Sequence, residues 1–262
     1  MAGESSRRGP LPPGPGRPVP SRVVSLVPSL TESVALTAPE LLVGATDWCT
    51  EPAWLDVPRV GGSKYPRVDD VLALAPDLVL ANEEENRLAD VEALRAAGVE
   101  VWVCFPRTVE TALSTLDEMV RVLGVPRPGW LDAAHRAWAA PPPVAGAGVA
   151  RRALVPVWRR PWIWLGTDTF AADVLRRLGV TVPQIGADRS QRYPRLAVPA
   201  AIEQAEPDLV VLPDEPYRFS ATDGPEAFGG LPAALVSGRH LTWYGPSLAE
   251  APRLLSAALP PS

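Results

Sequence analysis

YPRVDDVLALAPDLVL at residues 65–80 and YPRLAVPAAIEQAEPDLVVL at residues 193–212 are two versions of one pattern. Each opens on Tyr-Pro-Arg, runs through a helix-length segment, meets Pro-Asp and ends in an apolar strand of Leu and Val. Acidic residues follow both strands, Glu83 to Glu85 in the first half and Asp214-Glu215 in the second. A recurrence of this kind predicts that the two halves are duplicates of one supersecondary unit.

Outward from these anchors, short apolar runs alternate with helix-period segments. Val23–Val27, Leu42–Thr46, Leu78–Ala81 and Val101–Cys104 read as buried parallel strands, and strand signals return at Ala153–Val157 and Leu209–Leu212. A helix is expected from Ser29, where Ser-Leu-Thr-Glu offers a capping box with Glu32. Another is expected from Arg87 to Ala97, stopped at Gly98 by a left-handed cap. Parallel strands need crossover helices, so the pattern predicts an α/β fold.

From Thr108 to Ala140 the apolar residues Leu113, Leu116, Met119, Val120 and Leu123 keep helical spacing, broken at Gly124-Val125-Pro126. That is too long for a simple crossover. The expected organisation is therefore a Pro/Gly/Arg-rich tail over 1–21, an N-terminal α/β lobe over 22–107, linker helices over 108–150 and a C-terminal α/β lobe over 151–262. The architecture is two Rossmann-like lobes with parallel sheets, joined by a long backbone helix. Ligands of such sheets sit beyond the carboxyl ends of the strands, which here predicts a cleft between the lobes.

Composition narrows the function. A net charge of −5 argues against nucleic-acid backbones, which clustered Lys and Arg recognise. No stretch reaches the roughly 18 apolar residues of a membrane span. Arg7-Arg8 is followed by prolines and not by the apolar segment of an export signal, so the expected location is the cytoplasm. Cys49 and Cys104 read as reduced thiols, with one disulfide between them left open, and His135 and His240 have no companion at metal-ligand spacing. No phosphate loop, dinucleotide glycine motif or nucleophile elbow is present.

The chain has nine tryptophans. Trp48, Trp158, Trp162, Trp164 and Trp243 lie at strand ends, outside helix-period stripes, where flat rings suit a planar ligand. Trp54, Trp102, Trp130 and Trp138 are expected in cores. Tyr65 and Tyr193, each within a Tyr-Pro-Arg repeat, offer phenols beside Arg67 and Arg195, with Lys64 adjacent to the first. Their alternative role is a turn ahead of a helix.

Val24-Ser-Leu-Val-Pro-Ser-Leu-Thr-Glu32, Arg59-Val-Gly-Gly62 and Asp69-Asp-Val-Leu-Ala-Leu-Ala-Pro-Asp-Leu-Val-Leu80 together resemble the helical-backbone metal receptors, the class III periplasmic binding proteins for cobalamin, haem and ferric siderophores. The second half, with Val157-Trp-Arg-Arg-Pro-Trp-Ile-Trp164, Asp214-Glu-Pro-Tyr217 and Trp243-Tyr-Gly245, is similar to a signal-less subgroup. The resemblance implies a non-enzymatic binder of cobalamin, a related corrinoid or another metal chelate, held by Trp48, Tyr65, Trp158, Trp164, Tyr193, Trp243 and Tyr244. It also implies an ABC transporter partner met by one acidic residue from each lobe. The first matches Asp69, whereas the second falls near Ala200; two further ligand aromatics of the family fall on Ser63 and Asn82. The competing expectation is a cytosolic enzyme or cofactor-handling factor on the same scaffold, using Asp47, Glu85 or Asp214 as acid or base.

Overall fold

The computed structural model describes residues 19–141, 151–188 and 190–260. Most of the expected N-terminal tail and the Ala/Gly run over 142–150 lie outside the described residues. The chain divides into two units. Unit 1 comprises residues up to Pro106, Leu113–Asp132 and Tyr244–Pro246; unit 2 comprises Arg107–Ala112, Ala133–Trp243 and the residues from Ser247 onward.

Unit 1 runs β1 (Val23–Ser25), α1 (Pro28–Ala35), β2 (Leu42–Ala45), α2 (Val68–Ala73), β3 (Leu78–Asn82), α3 (Leu88–Ala96) and β4 (Glu100–Cys104). Its strands pair in the order β2-β1-β3-β4, all parallel. The uninterrupted apolar runs are the reason: strands covered on both faces need no polar alternation. Val24, Leu26, Val60, Val71, Val79, Val91, Leu94 and Val101 form the core.

Two helices follow, α4 (Val109–Val122) and α5 (Gly129–Ala139). They were expected as a separate linker over 108–150. By compactness Leu113–Asp132 goes with unit 1, and Arg107–Ala112 and Ala133–Trp243 go with unit 2. Gly124 breaks the helical run at a positive φ of 66°, as its sequence suggested.

Unit 2 contains β5 (Arg151–Leu154), β6 (Pro156–Arg159), β7 (Trp162–Trp164), α6 (Phe170–Arg177), β8 (Val180–Thr181), α7 (Val198–Ala205), β9 (Leu209–Pro213), β10 (Ala233–Val236), α8 (Gly238–Thr242) and α9 (Ala251–Ala258). The parallel sheet order is β10-β9-β5-β8, which is the unit 1 order with β5, β8, β9 and β10 in place of β1, β2, β3 and β4. The antiparallel hairpin β6-β7 is an addition that unit 1 lacks among its described residues.

The duplication extends to single bonds. In unit 1 the Arg22 guanidinium donates to the carbonyls of Leu74 and Ala75 while Asp77 accepts from the Arg22 amide. In unit 2 the Arg152 guanidinium donates to the Ala205 carbonyl while Asp208 accepts from the Arg152 amide. Ala75 and Glu206, just before each Pro-Asp, are the two non-glycine residues with positive φ among those described, at 45° and 44°. An αL residue ends each helix, and the proline cannot continue it.

One expectation is corrected, and one open alternative is closed. Helix α1 begins at Pro28 with Val27 as its N-cap and no side-chain cap, so the Ser29 capping box does not form. Proline favours the first helical position, which moves the start ahead of Ser29. Cys49 and Cys104 are both free and buried, in line with the reading as reduced thiols, so the disulfide left open between them is absent.

Asp173 of α6 anchors the start of α4 inside unit 2. Its carboxylate accepts from the Val109 amide at 2.8 Å and from Arg176 and Arg177. Burial alone would raise its pKa, but the Val109 N–H and the two guanidinium groups outweigh this and hold it below the usual carboxylate value. A lowered folded pKa gives stability that is complete above the ordinary value near 4 and is lost as pH falls through the folded value. Asp173→Ala is expected to destabilise unit 2 by about 2 kcal/mol at pH 7, with the deficit shrinking as pH falls through the lowered folded pKa of the carboxyl. Urea unfolding of both proteins along a pH series descending from 7 until the wild type is acid-unfolded checks this; a deficit that stays constant along the whole series would contradict it.

Candidate functional site

Unit 1 presents its site at the carboxyl ends of its strands. The segment after β2 carries Trp48, and the residues ahead of α2 carry Tyr65; both side chains are exposed, each at 68%. Trp48 lies against Gly62, where an added Cβ would stand 3.4 Å from the indole nitrogen. Gly61, next to it, takes a positive φ of 93° and comes close to the backbone of Tyr65 and Arg67. The Arg87 guanidinium sits 4.7 Å from the centre of the Tyr65 ring, a cation–π contact, and is held by Asp90. Lys64 reaches the Glu84 carbonyl at 3.0 Å.

Below these residues is a polar floor. Asn82, at the end of β3, accepts through its side-chain oxygen from the amides of Glu84 and Glu85, which shapes the acidic loop. Its amide nitrogen donates to Tyr244 at 2.5 Å, and Tyr244 also meets the Cys104 thiol at 3.6 Å. Burial, with Glu84 beside it and Lys64 opposing, pushes the Glu85 carboxyl up to about 7. Burial pushes Cys104 up to about 12 and raises Cys49 as well, so both are protonated thiols at neutral pH and neither is a primed nucleophile. Tyr244 is buried and its pKa lies well above the ordinary phenol value.

Unit 2 has its own aromatic surface. Trp158 on β6 is 42% exposed and meets the edge of Tyr217 at 5.7 Å. Tyr217 donates to Asp223 at 2.7 Å, and Arg159 pairs with Asp223 and Glu226 while lying over the Trp162 ring. Tyr193 is 37% exposed; the carbonyls of its neighbours Arg192 and Pro194 accept from Gly166 and Trp164. Trp243 is half-buried under Arg239, and its indole bonds to Glu215, whose carboxyl is raised by burial and by Asp214.

Of the expected ligand residues, the structure brings Trp48 and Tyr65 onto the surface of unit 1, and Trp158 and Tyr193 onto that of unit 2. Trp164 and Tyr244 are corrections. Trp164 has no exposure, stacks on Trp162 and donates to the Leu196 carbonyl, so it is a core residue. Tyr244 belongs to the floor of unit 1. Trp102 and Trp138 are buried as expected, but Trp54 is exposed where core packing was expected. His240 lies in α8 and bonds to Ser237. Asp69 is exposed in the first turn of α2; Ala200 is half-buried near the start of α7, with exposed Glu203 one turn on. Arg59 and Tyr217 entered the sequence reading only as members of longer motifs, and the contacts each makes are ones that no periodicity records. Among the described residues no group of three or more His, Cys, Asp or Glu side chains could hold a metal ion, and no helix is long and apolar enough to cross a membrane.

No family model matches the chain, and no curated protein matches it. Solved structures do. The periplasmic haem-binding protein BhuT, in complex with two haems, is 26% identical, with 91% of this chain and 99% of that one covered at a TM-score of 0.70. The haem-binding protein RhuT from Roseiflexus sp. RS-1 is 20% identical over 91% and 97%, at 0.69. The vitamin B12-binding protein BtuF of Vibrio cholerae is 17% identical over 92% and 96%, at 0.68. These neighbours are class III periplasmic binding proteins, and the chain shares their two-lobed α/β fold with parallel sheets.

Proposed function

We propose, on the premise that the chain is built as a class III periplasmic binding protein, that it is a non-enzymatic solute-binding protein for a flat metal tetrapyrrole. The observation that carries this reading is the pair Trp48 and Tyr65, two rings left largely in water on glycine- and proline-shaped backbone. Covering each ring with a planar chelate recovers about 1–2 kcal/mol of apolar burial and stacking. Lys64 and Arg87 supply donors at the rim. The acidic loop Glu83 to Glu85 beside Lys64 suits a rim of amides better than one of carboxylates, which puts a corrinoid ahead of haem or a ferric siderophore. The haem and vitamin B12 ligands of the neighbours support the same chemistry.

The test is gel filtration of the purified protein after incubation with cyanocobalamin, dicyanocobinamide, hemin and a ferric siderophore. Colour eluting with the protein for a tetrapyrrole supports the reading. Colour confined to the small-molecule volume for all of them contradicts it.

For the transporter implied by the fold, Asp69 offers a carboxylate on unit 1, and Ala200 offers none on unit 2. An arginine left without its carboxylate in a dock costs about 2 kcal/mol, roughly a 30-fold loss. An exported form of the protein is therefore expected to support little corrinoid uptake in cells lacking their own receptor, and Ala200→Glu to raise it. Robust uptake by the unmodified protein would overturn this expectation.

A further inference from the structure

Trp48 is the most exposed indole among the described residues, and it stands in a segment, residues 46–55, that has no helix or strand of its own. An exposed ring on a loose segment would have to be ordered by the ligand, at a cost in affinity. The structure shows what prevents that. Arg59 is registered beside the end of β2 by its bridge to Ala45 and by the Val60 amide, which donates to the Ala45 carbonyl at 3.0 Å. From there its side chain turns back under the segment. One guanidinium nitrogen donates to the carbonyls of Thr46 at 3.1 Å and Cys49 at 2.8 Å, one on each side of Trp48; the other donates to the Leu55 carbonyl at 3.2 Å.

These bonds bracket the tryptophan. The Asp47 amide donates to the Gly61 carbonyl at 2.8 Å, so the backbone just ahead of Trp48 is tied to the same strip that carries Arg59. The strip is fixed in turn by Arg67, which donates to the Arg59 carbonyl at 2.8 Å. A planar fork with several donors can span three carbonyls that one ammonium group cannot. Arg59 is half-buried, and its guanidinium bonds go to backbone carbonyls.

We infer that Arg59 is the positioning residue of the site: by clamping the carbonyls on both sides of Trp48, it sets the indole in its ligand-ready place before any ligand arrives. The inference rests on the proposed site for its consequence in binding, but its structural half stands apart from that reading. In the free protein the clamp holds the indole still. In the complex it spares the ligand the cost of ordering residues 46–55.

Two measurements test it. The first uses full-length protein labelled with 5-fluorotryptophan, with the Trp48 fluorine signal assigned by its loss in Trp48→Phe. Arg59→Ala should shift and broaden that signal toward a mobile indole and leave those of Trp102 and Trp138 in place; Arg59→Lys should fall between, and serves if the alanine variant does not fold. A Trp48 signal unchanged in the Arg59 variants would overturn the inference. The second is a double-mutant cycle read by titration with cyanocobalamin and hemin. Arg59→Ala and Trp48→Ala should each weaken binding about tenfold, and the pair together should be no weaker than Trp48→Ala alone. Independent effects, multiplying to about a hundredfold, would show that Arg59 does not act through Trp48. If the wild type binds neither chelate, the binding arm is silent on Arg59 and counts against the functional reading, and the fluorine spectra still decide the role of Arg59.

Discussion

Trp164→Ala is expected to cost unit 2 about 4 kcal/mol, the largest single loss of stability foreseen here. The ring is wholly buried among Leu154, Ile185, Val210, Leu212, Phe219 and Phe228, and it stacks on Trp162 at 5.7 Å between ring centres. Its removal leaves a cavity of indole size and takes the hydrogen bond from the Leu196 carbonyl, 3.0 Å from the indole nitrogen. Trp164→Phe keeps most of the volume and should lose about 2 kcal/mol, chiefly through that carbonyl. Urea unfolding followed by circular dichroism measures both, and hydrogen exchange should place the loss in the β5, β7 and β9 strands. A loss below about 1 kcal/mol combined with abolished chelate binding would mean that Trp164 serves the ligand and not the core.

The opposite signature is expected at the surface of unit 1. Trp48→Ala together with Tyr65→Ala should weaken chelate binding about a hundredfold, about 2.7 kcal/mol, since each ring contributes stacking and area on the ligand face. Stability should change by less than about 0.5 kcal/mol per site, because neither ring is buried in the free protein. Tyr65→Phe should retain most of the affinity, because it keeps the ring that the ligand covers. Isothermal titration beside thermal melting reads both quantities. A double variant that binds as tightly as the wild type would remove this surface from the site.

The contrast between Trp164 and Trp48 shows where sequence reasoning stops. Both lie at strand ends outside helix-period stripes, and nothing in their immediate neighbours separates a ring that enters a core from one that faces water. The separation comes from the β6-β7 hairpin, whose pairing turns Trp164 inward, and from the segment after β2, which lays Trp48 against Gly62 and leaves it largely exposed. The duplication, by contrast, was legible, since each Pro-Asp must end a helix and start a buried strand, and Arg22–Asp77 and Arg152–Asp208 repeat one set of bonds. The capping box at Ser29 misled because Pro28 already fixes the helix start. The clamp of Arg59 on Thr46, Cys49 and Leu55 was invisible because it joins residues through backbone carbonyls, which carry no residue identity.

The proposed function stands or falls on one titration. Tryptophan emission should be followed as cyanocobalamin, dicyanocobinamide and hemin are added to micromolar protein, with correction for absorption by the chelate. The account predicts saturable quenching by at least one tetrapyrrole, reduced in amplitude and shifted to higher concentration in Trp48→Ala. A corrected signal that stays flat for every chelate added would contradict it.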